Sequence, residues 1–195
     1  MYRPSCAGTS TLVLLAAGLL TGTAFAEDPA GVPNFHRVNE TVYRGAQPTP
    51  EGFQNLAKLG VKTVIDLREA GTLADAEKQV VEKLGMHFVS IPMRGMHEPT
   101  ADQITKVLAL FNNNAAGPVF VHCRRGADRT GTVVACYRIS HDHWDNQKAL
   151  TEARSLGMAW IEKAMQHYVL SYKVPVESAT ASAPLPLTPA IAVTQ

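Results

Sequence analysis

Apolar residues in this chain fall into two kinds of stretch. Short, nearly unbroken runs occur at Val61 to Leu67, at His87 to Ile91 and at Pro118 to Val121. Runs of that length are what strands buried inside a parallel sheet need. Val38 to Tyr43 reads as a strand at the sheet edge. Between these runs the apolar positions take helical spacing. Phe53, Leu56, Ala57 and Leu59 follow Pro48-Thr49-Pro50, with Thr49 as N-cap, Pro50 in the first turn and Gly60 as the stop. Leu73, Ala76, Val80, Val81 and Leu84 predict a helix from Thr72 to Leu84, ended by Gly85. Thr100 and Gln103 have the spacing of a capping box and open a helix through Phe111. Further helical stretches run over Thr130–Ile139, Asn146–Ser155 and Ala159–Tyr172. Strand and helix alternate to about residue 140, and then helices run alone. That order predicts an α/β fold: a mainly parallel central sheet of four to five strands, flanked by helices on both faces.

The two ends depart from this pattern. Arg3 followed by an apolar run from Leu12 to Leu20 and by Ala24-Phe-Ala26 has the layout of a secretory signal over residues 1–26, cut after Ala26. Residues 27–36 form a Pro/Gly-containing lead-in, expected to be loosely held, and the folded domain is expected over 37–173. From residue 174 to 195 the chain turns to Pro, Ala, Ser and Thr, the composition of a disordered tail. Cleavage would remove Arg3 and no acid, leaving 17 basic against 17 acidic residues. A balanced charge argues against nucleic acid or an anionic membrane as the main partner, and no window is long enough for a membrane span once the signal is gone. An exported monomer is expected. Cys6 leaves with the signal, so only Cys123 and Cys136 remain, too few for a disulfide framework.

The chemistry concentrates in one stretch, Val119-Phe-Val-His-Cys-Arg-Arg-Gly-Ala-Asp-Arg-Thr-Gly131. An apolar strand runs into it and a helix leaves it. A sharp strand-to-helix turn aims backbone N–H groups and the positive end of a helix dipole at one spot, which suits an anion. Cys123 lies at the base of that spot, where a thiol ionises readily. Arg129 stands in the first helical turn, where a cation is unfavourable unless an anion compensates it. Its fork can grip two phosphoryl oxygens. The loop therefore reads as a thiolate beneath a bound phosphoryl group, held by Arg124, Arg125, Gly126, Ala127, Asp128 and Arg129. Attack on phosphorus gives a phosphocysteine that water then hydrolyses. The Thr130 hydroxyl could donate to the thiolate, and His122 would order the loop. Arg124 and Arg125 serve either as solvated rim charges or as contacts to a polyanionic substrate. The chemistry needs no metal and no cofactor. His141-Asp142-His143 has metal-ligand residue types, but i, i+2 spacing does not put both imidazoles on one helical face.

His-Cys-x-x-Gly-x-x-Arg-Thr-Gly resembles the loop of the cysteine-dependent protein-tyrosine and dual-specificity phosphatases. Tyr43-Arg-Gly-Ala-Gln-Pro48, Thr63-Val-Ile-Asp-Leu-Arg68 and Ile91-Pro-Met-Arg-Gly-Met-His-Glu-Pro99 resemble the atypical dual-specificity group of plants, fungi and bacteria. The resemblance implies a dual-specificity-phosphatase-like fold and a phosphorylated protein as substrate. Inositol phosphates, inositol pyrophosphates or phosphoinositides form the alternative, and a non-catalytic phosphate-binding module a further one. It also implies a general acid on a loop ahead of the cysteine. The matching stretch, Met93 to Pro99, contains no Asp, which leaves Glu98 first, Asp102 second and Asp128 third. Arg44 and Arg68 match positions of the group and either brace the sheet or touch substrate. A nucleotide-binding P-loop is excluded because Thr132 stands where that motif needs Lys. A sulfur-transfer enzyme fits less well, given the Arg-Thr-Gly ending and the lack of a repeated domain.

Overall fold

The computed structural model describes residues 28–175. The expected signal, residues 1–26, and nearly all of the 174–195 tail lie outside the described residues. The elements in chain order are β1 (His36–Arg37), β2 (Val42–Ala46), α1 (Pro50–Lys58), β3 (Thr63–Asp66), α2 (Thr72–Lys83), β4 (His87–Ser90), α3 (Ala101–Phe111), β5 (Val119–Cys123), α4 (Asp128–Ser140), α5 (Asn146–Ser155) and α6 (Lys163–Ser171), with a 3₁₀ turn at Asn114–Ala116. The sheet has five strands in the order β1-β2-β5-β3-β4. Only β1 runs antiparallel to its neighbour. β5 lies in the centre, and register sets Ala46 opposite Cys123 and Asp66 opposite His122.

Each face of the sheet carries its own core. Phe53 and Leu56 of α1 and Val81 of α2 pack on Val64 and Phe120. On the other face Ile104 and Val107 of α3 and Val133, Val134 and Tyr137 of α4 pack on Ile65 and Val121. α5 and α6 cover the outside of α4 through Ala149, Leu150, Ala153 and Val169. α4 is therefore buried from Thr130 to Tyr137 on every side, sandwiched between sheet and helices. Each fully buried Val or Ile there contributes roughly 1.5–3 kcal/mol, so the helix that carries Arg129 is anchored along its length. Both forecast caps form: Thr49 accepts from the Gly52 N–H, and Thr100 with Gln103 closes a capping box.

Four expectations need correction. The edge strand forecast over Val38 to Tyr43 is mostly a turn: β1 precedes it at the sheet edge, and β2 starts only at Val42 and lies one place inside. The Asn39 side chain accepts from the Thr41 and Val42 N–H groups and turns the chain between them. The lead-in is not loose: Val32 is buried, the Pro33 and Gly31 carbonyls accept from Ala46 and Thr49, and Asn34 donates to the Arg125 and Leu156 carbonyls. The lead-in from Gly31 on thus packs against the domain. α2 presents a different face from the one its apolar residues suggest. Leu73 and Val80 are exposed, while Ala74, Glu77 and Val81 point inward. The helix is turned so that a carboxylate reaches buried partners described below. Finally, the last helix starts at Lys163, not Ala159, which frees Gly157 to Glu162 as a loop beside the start of α4.

Candidate active site

β5 delivers Cys123, 1% exposed, to the end of the central strand. The chain then loops through Arg124–Ala127 and enters α4 at Asp128. Gly126 makes the turn possible: its φ is +67°, and a Cβ there would strike the backbone of Gly45 and Ala46. The loop therefore lies directly on the end of β2. Two further bonds hold it there. Arg44 Nη2 donates to the Gly126 carbonyl at 2.6 Å, and the Gln47 N–H donates to the Arg124 carbonyl at 3.4 Å. Ala127, the N-cap of α4, offers no side-chain acceptor to the helix start, so the first-turn N–H groups are left to whatever the loop receives. Arg44 is 1% exposed, and burial pushes its guanidinium down to about 10.

On the other side of β5 the loop's base is held by charge. Arg68 clamps Asp66 with bonds of 2.7–3.0 Å and reaches Glu77 at 2.6 Å. His122 Nε2 donates to the second oxygen of Glu77 at 2.7 Å. Burial alone would lower the Arg68 ionisation, yet the hydrogen bond to Asp66 and the charge of Glu77 raise it above its ordinary value. Asp66, Glu77 and His122 have metal-ligand types, with ligand atoms within 4.8 Å of one another. The Arg68 guanidinium already fills the cationic place among them. His122, expected to order the loop, is itself fixed by a partner on α2 that sequence reasoning missed. A signal existed: Glu77 shares one helical face with Ala74 and Val81.

At the mouth, Arg129 Nη1 donates to the carbonyls of Leu67 and Met93 at 3.4 and 3.2 Å. The guanidinium is thereby laid across the strand ends, facing the loop that precedes α3. Thr130 is fully buried, and its hydroxyl bonds no described residue. Asp128 is committed elsewhere: Oδ2 accepts from Arg125 at 2.6 Å and Oδ1 from the Ala159 N–H at 2.9 Å. Arg124 is exposed without a partner among the described residues, whereas Arg125 is paired. Glu98 Oε1 accepts from His167 Nδ1 of α6 at 2.7 Å. Asp102 sits on the exposed face of α3, paired with Lys106. His141 pairs with Asp142 and stacks on Tyr137. Cys136 and Cys123 are both free, and burial pushes the Cys136 thiol far up.

The structure adds groups that no motif announced. Met96 takes a left-handed φ of +60°, strained for a side chain of its kind, and its N–H is held by Glu162 Oε2 at 3.1 Å. Glu162 is buried, and its other oxygen bonds no described residue. Trp160, 77% exposed, and Ile161, 51% exposed, lie between Ala159, held by Asp128, and Glu162, which holds the equally exposed Met96. Three exposed apolar side chains are therefore gathered between the start of α4 and the loop that precedes α3.

A central parallel strand ending in a buried cysteine, a loop open to an anion and an arginine on the following helix define an α/β phosphatase domain of the dual-specificity type. Residues 28–169 match the family described as DSP-PTPase phosphatase fused to NAD+ kinase, and the chain belongs to that family. Its relatives include the dual specificity protein phosphatase TpbA of Pseudomonas aeruginosa (strain UCBPP-PA14), 32% identical over 124 residues. That match covers 64% of this chain and 55% of TpbA, so the chain spans about half the length of that relative. A solved structure of P. aeruginosa TpbA in complex with pTyr superposes with a TM-score of 0.62 at 28% identity, covering 75% of this chain and 87% of that one. The core catalytic domain of the PP-IP phosphatase SIW14 from S. cerevisiae, in complex with citrate, gives a TM-score of 0.66 at 25% identity, covering 73% and 88%.

Proposed function

We propose that this chain is a cysteine-dependent phosphatase that hydrolyses phosphomonoesters through a phosphocysteine, with phosphotyrosyl protein as its substrate class. The observation that carries the reading is Cys123 buried beneath a loop bent at Gly126, with Arg129 spanning the strand ends above it. The Cys123 thiolate attacks phosphorus, and the ester P–O bond breaks as the leaving oxygen takes a proton from a carboxylic acid. Water then attacks phosphorus, the P–S bond breaks and the acid recovers its proton from that water. Arg129 and the N–H groups of the loop hold the charge that builds on the phosphoryl oxygens.

Asp128 is removed as the acid, because both its oxygens accept hydrogen bonds as a carboxylate. Glu98 keeps the role by its place on the loop that faces Arg129, and it must leave His167 to act. Glu162 is the second candidate, since it is buried against the same loop with one oxygen unbonded.

Two observations favour an aromatic phosphoester over a polyanion. Exposed Trp160, Ile161 and Met96 lie between the start of α4 and the loop that faces Arg129, and Arg125 is paired with Asp128. TpbA, named a dual specificity protein phosphatase, points the same way. The name PP-IP phosphatase borne by SIW14 keeps inositol pyrophosphates as the second reading, for which exposed Arg124 is the available contact. Export belongs to the proposal too, on the pattern of residues 1–26, as do a monomeric state and no nucleic-acid partner, on the balanced charge. The test is a panel of phosphotyrosyl, phosphoseryl and phosphothreonyl peptides, phosphoinositides and inositol pyrophosphates. Phosphotyrosyl peptides should give the highest kcat/KM, and preference for an inositol pyrophosphate would reverse the choice. Periplasmic or medium fractions should hold the enzyme; retention in the cytosol would refute export.

A further inference from the structure

We propose that Arg44 is a positioning residue for the nucleophile: a buried guanidinium, free of any carboxylate, that fixes the anion loop and lends it a second positive charge. The inference rests on the reading of Cys123 as the nucleophile.

Arg44 lies on β2, opposite Val121 and two residues before Ala46, the register partner of Cys123. Its side chain is fully enclosed and makes one bond, from Nη2 to the Gly126 carbonyl at 2.6 Å. Nε and Nη1 are buried without a partner. A buried cation with unfilled donors is costly unless an anion nearby offsets it. The ordinary candidates are all committed. Glu152 of α5 is bonded to Arg138 at 2.9 Å, and Asp142 at the end of α4 is bonded to the same arginine. Asp128 at the start of α4 holds Arg125. Asp66 and Glu77, across β5, hold Arg68. Arg138 on α4 is itself a cation, and His36 on β1 is kept toward its neutral form first by burial and then by Arg44. Among the described residues Arg44 forms no ion pair. Glu152, although bonded to Arg138, still favours the Arg44 charge from a distance; the other anion placed to do so is the Cys123 sulfur when ionised, or the phosphoryl group that would bind over it.

The contact with Gly126 gives the charge a mechanical counterpart. Gly126 is the loop's one left-handed residue, and it rests on the Gly45 and Ala46 backbone. Anchoring its carbonyl toward β2 keeps that acceptor out of the anion's space. The same guanidinium thus turns a repulsive oxygen away and adds an attractive charge.

The test compares the full chain with Arg44→Gln and Arg44→Lys. Gln keeps a donor for the Gly126 carbonyl and removes the charge; Lys keeps the charge and loses the fork. Alkylation of Cys123 by iodoacetamide, followed over about pH 4–9 with the Cys123→Ser background subtracted, reads the thiolate without turnover. Orthovanadate affinity reads the loop. Arg44→Gln should raise the pH of half-maximal alkylation by about one unit and weaken vanadate about tenfold. Arg44→Lys should shift both by less. An unchanged alkylation profile and vanadate affinity in Arg44→Gln would overturn the proposal, whatever happens to the melting temperature. Equal shifts in both variants, or loss of the folded state in both, would overturn it too, because they would make Arg44 a brace alone. Failure of the phosphatase reading shows separately, as a wild-type chain that takes vanadate yet hydrolyses no p-nitrophenyl phosphate.

Discussion

Two buried arginines stand on either side of the catalytic strand, and they are held in opposite ways. Arg68, beyond β3, has Asp66 and Glu77 within 2.7 Å and ends with its ionisation raised. Arg44, on β2, has a single carbonyl and ends with its ionisation lowered to about 10. The Arg68 side is a closed account of charge: its network fixes His122 and asks nothing of a ligand. The Arg44 side is open, and on our proposal an anion bound to the loop above it completes the balance. On the proposed reading, stability and catalysis are divided across one strand. The difference shows why two arginines that look alike in sequence are not interchangeable: what matters is whether a carboxylate came with them.

The largest effect that sharpens this contrast falls on the sulfur. Cys123→Ser should lower turnover of p-nitrophenyl phosphate by about 10⁴-fold or more while orthovanadate still binds; retained activity would take Cys123 out of the mechanism. The closed side comes next. Glu77→Gln leaves Arg68 and His122 with one charge too few, and urea denaturation should show a loss of about 3–5 kcal/mol. Activity per folded molecule should fall far less, and the reverse result would erase the division. At the mouth, Glu98→Gln should slow alkyl phosphates about 10²-fold and aryl phosphates much less, since a good leaving group needs little proton assistance. An equal effect on both would pass the role to Glu162, which Glu162→Gln checks in the same assay. The smallest effect belongs to the exposed apolar side chains. Trp160→Ala should raise KM for a phosphotyrosyl peptide by about two- to tenfold and leave KM for an inositol pyrophosphate unmoved, as the loss of one aromatic contact implies.

Legibility follows the range of the interaction. The capping residues Thr49 and Thr100 and the strand at Thr63–Asp66 are local matters, decided within a few residues, and all were forecast. α2 was forecast in extent and misjudged in facing, because Glu77 turns inward toward Arg68 and His122, nine and 45 residues away. The lead-in was misjudged for the same reason: Asn34 bonds the Arg125 carbonyl 91 residues on. Glu162 and Trp160 gave no sign at all, because a residue on such a loop is defined by what lies across from it.

The order of residues alone determined that Cys123, Gly126 and Arg129 share one strand–loop–helix turn. Those three sit within seven consecutive positions, and a strand running into a helix needs no distant partner to shape them. Only the tertiary structure decided which charges stand free and which are spent. Neutralisation depends on separations of a few ångströms between groups far apart in the chain, and no spacing in the sequence encodes that distance.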